Sequence, residues 1–134
     1  MSGVSDICQR VVEDVDHGIA CAIVDMKTGL LLGIHHLVPY FTTDYLDAIA
    51  AASVEMFAGR TVKRIEQLLS AMSGAAIQET FEEIFVASPR VFHFMTLIRE
   101  KNAIAILVTR NDISQVAGWT SLRNAVPDMI ALLS

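Results

Sequence analysis

The chain has 134 residues and a formal net charge of −5 at pH 7, and its length is typical of a single domain. Hydrophobic residues make up 53% and charged residues only 19%, against roughly 25% charged residues in a typical chain. The acidic balance argues against nucleic-acid binding, which needs a basic face. The shortage of charge predicts an oligomer in which protein covers part of the surface. A monomer rich in buried alanine is the alternative.

The first predicted element is an amphipathic helix over residues 4–15. Apolar residues recur there at helical spacing: Val4, Ile7, Cys8, Val11, Val12 and Val15. Ser2 or Ser5 is the expected N-cap. No basic region followed by an apolar run precedes this helix, so we expect no signal peptide and a cytoplasmic protein. The apolar runs are also far shorter than the roughly 20 residues that span a bilayer.

Two strands are predicted next, over residues 19–25 and 30–36. The first is apolar at every position but its last, which is typical of a strand buried on both faces. The turn at residues 25–29 ends in Gly29, so the two strands form a hairpin.

A helix capped by Thr42 or Thr43 follows Pro39. Apolar or small residues cover most of its circumference over residues 45–57. A surface helix that packs on one sheet shows a single apolar stripe, so this helix is expected to be covered on two sides. The apolar stripe of residues 62–72 lies on a different face, so the helix either bends at Gly59 or ends there.

Three strands and a last helix complete the chain. The strand over residues 81–87 carries Glu82 and Glu83, and charge of this kind is typical of a sheet edge. The strands over residues 91–98 and 103–109 follow, and the second is apolar on both faces. Asn111 or Asp112 is the expected cap of the last helix, and Pro127 is expected to end or kink it.

The predicted order of elements is α-β-β-α-β-β-β-α over one domain, residues 1–134. Consecutive strands joined by short turns indicate a mainly antiparallel sheet of five strands. Strands that are buried on both faces require helices on both faces. The predicted fold class is therefore α/β in the broad sense, an α+β sandwich.

This order resembles the roadblock/dynein light-chain family, whose domains have a profilin-like sandwich. The resemblance covers about residues 4–125. It is carried by the strand-turn-strand sequence Ile-Ala-Cys-Ala-Ile-Val-Asp-Met-Lys-Thr-Gly-Leu-Leu-Leu-Gly of residues 19–33, by the alanine-rich helix after it and by the three strands that lead into a capped last helix. The segment 60–76 is longer than the family needs at this place.

The resemblance implies a sheet order 2-1-5-4-3 and a dimer in which two third strands pair and two second helices meet. On this sequence it implies the interface residues Ala48, Ala51, Ala52, Glu55, Phe81, Ile84 and Val86. Proteins similar to this one often bind or regulate Ras-like small GTPases, or serve as light subunits of larger machines. The resemblance thus implies a homodimeric interaction module without catalytic activity.

No residue pattern indicates a catalytic, cofactor or metal site. His35 and His36 are neighbours on a strand and point to opposite faces, and the sequence has no Cys-x-x-Cys or His-x-x-x-His spacing. A hydrolase would need His17 or His93 beside Ser or Asp in a cleft. Cys8 and Cys21 are expected to be small buried hydrophobes.

A ligand-sensing domain of similar fold is the alternative function. It predicts an internal pocket near Tyr40, Phe92 and Phe94. Trp119 on the last helix is expected in the core, and it becomes the best anchor for a partner if it is exposed.

Overall fold

Five strands form one sheet: β1 (Gly18–Asp25), β2 (Leu31–His36), β3 (Glu83–Ala87), β4 (Val91–Ile98) and β5 (Ala103–Arg110). The computed structural model describes residues 3–133. The strand order is β2-β1-β5-β4-β3, and every neighbouring pair is antiparallel. The predicted fold class and strand order are confirmed.

Four α-helices accompany the sheet: α1 (Val4–Asp14), α2 (Thr43–Ala58), α3 (Arg60–Ser73) and α4 (Gln115–Leu132). A short 3₁₀ turn over Arg99–Lys101 joins β4 to β5. α1 and α4 pack on one face of the sheet and α2 on the other, which confirms the predicted sandwich. α3 packs mainly against α2.

β1 and β5 are central strands that are buried on both faces, as predicted. In β1, Cys21 and Ile23 face α1 and α4, whereas Ala22 and Val24 face α2. The period of two in a strand separates these residues into two hydrophobic layers. The apolar run in the sequence is continuous because each face of the sheet has its own hydrophobic core.

α4 comes close to the sheet at Gly118. A Cβ atom at this position would lie 2.2 Å from Cζ of Phe94, which is fully buried. Glycine in the interior of a helix costs about 1 kcal/mol relative to alanine. The close packing of the Phe94 ring on the helix backbone accounts for its presence here.

α1 covers the outer strand β2. A Cβ atom at Gly33 would lie 2.5 Å from a side-chain carbon of Val4, so glycine permits this contact. The Ile34 backbone N–H donates to Oγ of Ser5 over 3.1 Å. The predicted cap at Ser5 is therefore wrong, because Gly3 is the N-cap and its N–H donates to Asp6. Ser2, the other predicted cap, lies outside the described residues.

The predicted start of α4 is corrected by the hydrogen bonds of the candidate capping residues. α4 is capped by Ser114, whose Oγ accepts from the Ala117 N–H. Asn111 instead donates to the Pro89 carbonyl, and Asp112 pairs with Arg110, so neither caps the helix.

The third strand begins at Glu83 and not at Phe81. Before it, Glu82 is held by Arg99, whose guanidinium donates to its carboxylate over 2.8 Å. At Gly59 the backbone is extended, so α2 ends and α3 begins. Of the two alternatives for this glycine, the structure selects a new helix.

Pro127 does not end α4, which continues to Leu132, so the first of the two predicted effects is wrong and the kink stays a prediction. Proline removes one helical hydrogen bond, here to the Arg123 carbonyl, and costs about 3 kcal/mol in a helix interior. Beyond it, Met129 and Leu133 are buried in the core. Their burial, worth roughly 1.5–3 kcal/mol for each side chain, offsets that cost.

Candidate interaction surface

α2 turns one face to the sheet and leaves the opposite face free. Ala50, Ser53 and Phe57 are buried, and the Ser53 hydroxyl donates to the Ala50 carbonyl over 2.7 Å. The predicted interface residues of this helix are all exposed. These four, called the α2 seam below, are Ala48, Ala51, Ala52 and Glu55. The three alanines lie along one face of the helix, where their small side chains let another helix approach closely.

Beside the α2 seam runs an exposed apolar stripe. Tyr45, Ile49 and Met56 are 46%, 39% and 37% exposed. At about 100° per residue they lie between the buried face and the α2 seam. Together with the alanines they leave an apolar helix surface uncovered, and the second cover expected from the sequence stays a prediction.

The predicted interface residues in β3 and just before it lie on the same side of the sheet as α2. Phe81 and Ile84 are half-buried and pack against the core layer under α2. Val86 follows the same alternation and is 36% exposed. α2 and β3 therefore present apolar side chains on one side of the molecule.

β3 is an edge strand whose outer backbone groups have no strand beside them within the described residues. The Leu97 N–H donates to the Glu82 carbonyl, and the Ser88 N–H donates to the Val91 carbonyl. Hydrogen-bonded pairs alternate along an antiparallel ladder. The N–H and C=O groups of Glu83, Phe85 and Ala87 therefore point away from β4. An edge of this kind is a template for another strand.

A charged clamp fastens β3 to α4. Nε of Arg123 donates to Oε2 of Glu83 over 2.9 Å, and Nη2 donates to the other carboxylate oxygen. Hydrogen bonds from Arg123 lower the pKa of Glu83 below its usual range. The guanidinium also lies 4.9 Å from the centre of the Trp119 ring. Trp119 is half-buried against the core, as predicted, so it is not a free anchor.

α3 exposes an apolar stripe beside a basic face. Val62 is its one buried residue, whereas Ile65, Leu68 and Met72 are 39%, 48% and 80% exposed. The basic residues of this helix are exposed as well: Arg60, Lys63 and Arg64.

A cavity of about 320 Å³ opens between α2 and the sheet. Tyr40, Tyr45, Ile49 and His93 contribute to its mainly apolar lining. The pocket predicted for a ligand sensor is thus found at Tyr40. Phe92 and Phe94, the other residues named for it, pack on the opposite face of the sheet.

His93 is the polar group of interest in this cavity. Its Nδ1 is buried without a well-formed hydrogen bond to the described residues. Burial lowers the pKa of His93, and the Val86 backbone offsets this effect only in part. Ser88 also lines the cavity, but its hydroxyl donates to the Val91 carbonyl. Among the described residues that line the cavity, Ser88 is the one serine, and its hydroxyl is engaged by this hydrogen bond.

The other histidines and the cysteines occupy structural positions. Nδ1 of His36 accepts from the Val38 N–H, and His35 pairs with Cys21 across the β1–β2 ladder. Cys8 and Cys21 are free and buried; a hydrogen bond between them and burial raise the pKa of Cys21. Within residues 3–133, no group of three His, Cys, Asp or Glu side chains could hold a metal ion. No helix in that range has the length and apolar character needed to cross a membrane.

Three parts of this surface were not anticipated from the sequence. The first is the set of outward backbone groups at Phe85 and Ala87, which depends on ladder register. The second is the clamp between Arg123 and Glu83, which joins residues 40 apart in the chain. The third is the exposure of α3, although the shift of its stripe at Gly59 was a signal that it leaves the sheet.

Comparisons with solved structures identify this architecture. A Roadblock/LC7 domain from Streptomyces avermitilis superposes with a TM-score of 0.72 at 14% identity, over 97% of each chain. MglB from Myxococcus xanthus gives a TM-score of 0.70 at 16% identity, over 95% of this chain and 90% of that one. The gliding protein MglB from Thermus thermophilus gives 0.71 at 15% identity, over 96% and 87%. No protein-family model and no curated protein matches the sequence.

Proposed function

The chain has the Roadblock/LC7 fold, and from this premise we propose that it is a homodimeric protein-interaction module. It acts in the cytoplasm by holding or regulating a Ras-like small GTPase, and it is not catalytic by itself. The observation that carries the proposal is the open β3 edge beside an uncovered apolar face of α2. Both are features that a second copy of the chain would cover.

The β3 strands pair antiparallel about a two-fold axis at Phe85. This register matches all five residues of the strand with five of the partner, whereas a shift by two leaves residues unpaired. The outward backbone N–H and C=O groups of Glu83 then form hydrogen bonds with those of Ala87 of the partner subunit. Two Glu83 carboxylates do not face each other in this register, so it avoids a like-charge pair.

The α2 helices meet along the α2 seam on the same side of the joined sheet. Small residues let the two helix backbones approach closely. The exposed stripe of Tyr45, Ile49 and Met56 becomes partly buried at the edge of this contact. Burial of apolar area stabilises association by roughly 25 cal/mol per Å² before the costs of ordering. A structure of MglB with a tetrameric arrangement is consistent with self-association in this fold.

The mass in solution tests the dimer. Light scattering behind a sizing column should give about twice 14.7 kDa. We expect Ala51→Arg and Val86→Asp each to yield monomers, because each places a charge in a desolvated contact. Val116→Asp is the matched control, since Val116 is 74% exposed on α4, and it should remain dimeric. A monomeric wild type would overturn the proposal.

The GTPase step is tested with purified Ras-like GTPases loaded with GDP or with a non-hydrolysable GTP analogue. The wild-type dimer should bind at least one of them in one nucleotide state, and the chain alone should hydrolyse no GTP. If the dimer forms but binds none of the panel, the self-association stands and the regulatory role fails.

A small-ligand sensor is the second candidate function, favoured by the cavity at Tyr40. Its volume of about 320 Å³ lies at the lower end of the range for ligand sites. An apolar molecule with one polar group beside the neutral His93 would fit this lining. Chemical-shift changes at Ile49 and Val108, both in the lining, should report such a ligand, and an unchanged spectrum across an apolar fragment library would exclude this function.

A further inference from the structure

The charged residues of α2 and α3 are sorted by sign. α2 exposes three carboxylates, at Asp44, Asp47 and Glu55, and no base. The first turns of α3 expose three bases and no acid, namely Arg60, Lys63 and Arg64. The acidic helix and the basic helix start are thus separated by the single residue Gly59, where α2 ends and α3 begins.

None of these six side chains forms an ion pair within residues 3–133. Of the five arginines outside α3, four lie within 4.0 Å of a carboxylate in the described part of the chain, namely Arg10, Arg99, Arg110 and Arg123, and Arg90 does not. The uncovered apolar stripes of both helices lie beside the unpaired charges. A partner for this surface must therefore be charged and apolar at once.

A second copy of the chain meets both requirements. Antiparallel contact along the α2 seam, with the two-fold axis between Ala51 and Ala52, brings Arg60 level with Thr43 of the partner subunit. The carboxylate of Asp44 of the partner subunit is then its neighbour. The same contact gathers the α2 carboxylates of both copies along one line, and like charges this close destabilise a contact. Bases at the start of α3 would neutralise them.

We propose that the start of α3, through Arg60 and Arg64, forms a charged clasp with Asp44 and Asp47 of the partner subunit, once at each end of the α2 seam. The proposal rests on the homodimer proposed above. It adds a charged surface through which the chain distinguishes a second copy of itself from other partners. It also gives a role to segment 60–76, which is longer than the resemblance requires. Charge complementarity of this type selects partners and sets the rate of association more than it sets affinity.

Charge reversal tests the clasp. Arg60→Glu/Arg64→Glu should weaken the homodimer by about tenfold or more, because two clasps become repulsive. Acidic residues are favourable at a helix start, so the change does not itself unfold α3, and circular dichroism checks this. Lys27→Glu is the control, because it also replaces a base by an acid but lies in the exposed β1–β2 turn. It should leave the dissociation constant of the dimer unchanged. Raising salt should weaken the wild-type dimer but not the reversed variant.

A mixing experiment gives the sharper readout. Asp44→Lys/Asp47→Lys should also weaken its own homodimer. Mixed with the reversed α3 variant, it should form a heterodimer of near wild-type affinity, because one clasp is restored with swapped signs and the other is native. Mass spectrometry of isotopically labelled chains separates the heterodimer from both homodimers.

The outcomes distinguish the two proposals. If the wild type dimerises but the variants mix at random, with unchanged affinity and no salt dependence, the clasp is overturned and the dimer stands. If the wild type is monomeric at the highest concentration used, the dimer itself is overturned, and the clasp with it.

Discussion

At the scale of single residues, His93 couples protonation to folding. Burial lowers its folded pKa from the ordinary value of 6.5. The unfolded chain therefore takes up a proton first as the pH falls. The contribution of His93 to the free energy of unfolding is fully present above pH 6.5 and is lost as the pH falls through the interval between the unfolded and folded pKa values.

We expect urea unfolding at pH 7.5 and at pH 5.5 to show this loss. His93→Gln should lose less stability between the two values than the wild type, because glutamine does not titrate. His35→Gln, on a strand at the far side of the sheet, is the control and should behave as the wild type does. An equal loss in all three chains would assign the effect to other groups.

Gly118 makes a second prediction at this scale. Gly118→Ala forces the Phe94 ring to move, because Cβ would lie 2.2 Å from it. Overpacking of this kind costs about 1–3 kcal/mol, although alanine favours helix. Denaturant unfolding measures the loss, which should shrink when Phe94→Leu is present in the same chain. Independent, additive losses would show that the ring is not the obstacle.

At the scale of secondary-structure elements, hydrophobic period was informative, whereas capping signals were right for α2, where Thr42 is the N-cap, and wrong for α1 and α4. The strands β1 and β5 were predicted with both faces buried because their apolar runs are continuous. The N-cap of α4 was misplaced because Asn111, Asp112 and Ser114 all have capping side chains, and only tertiary partners decide among them. Pro127 was expected to end or kink α4, and the helix continues past it because Met129 and Leu133 are buried in the core beyond it.

The pairing register of β3 can be trapped covalently. Two-fold pairing at Phe85 sets Ile84 opposite Val86 of the partner subunit in a non-hydrogen-bonded pair, where Cα atoms are about 4.5 Å apart and a disulfide can form. We therefore expect Ile84→Cys mixed with Val86→Cys to cross-link under mild oxidation. Each variant alone should not, and the buried native cysteines should not compete.

The single variants also reveal a different register. Cross-linking of Ile84→Cys with itself would mean that the strands are shifted by two residues in one direction. Cross-linking of Val86→Cys with itself would mean a shift in the other. Non-reducing electrophoresis distinguishes these results from the expected one.

At the scale of the whole molecule, the fold was predictable and the outer surface was only partly so. Element order and two-sided burial of the central strands define a sandwich. The α2 seam was named on the resemblance to the roadblock family, and three of its four residues are alanines that permit close approach of a second helix. The clamp between Glu83 and Arg123, and the separation of charge between α2 and α3, depend on contacts far apart in sequence or on exposure, neither of which periodicity reveals.

The two edge strands of the sheet differ in whether their outward backbone groups are hydrogen-bonded. β3 leaves its outer backbone groups open, whereas at β2 the hydroxyl of Ser5 takes the Ile34 N–H and α1 lies over the strand. Edges that both accept strands would allow head-to-tail growth into fibres. Because the outward N–H of Ile34 is already bonded, a strand added beside β2 would lose a hydrogen bond at this residue, so we expect pairing at β3 and an assembly that stops at two copies. In the proposed dimer, the Ser5 hydroxyl at the opposite edge of the sheet thus disfavours growth beyond two copies.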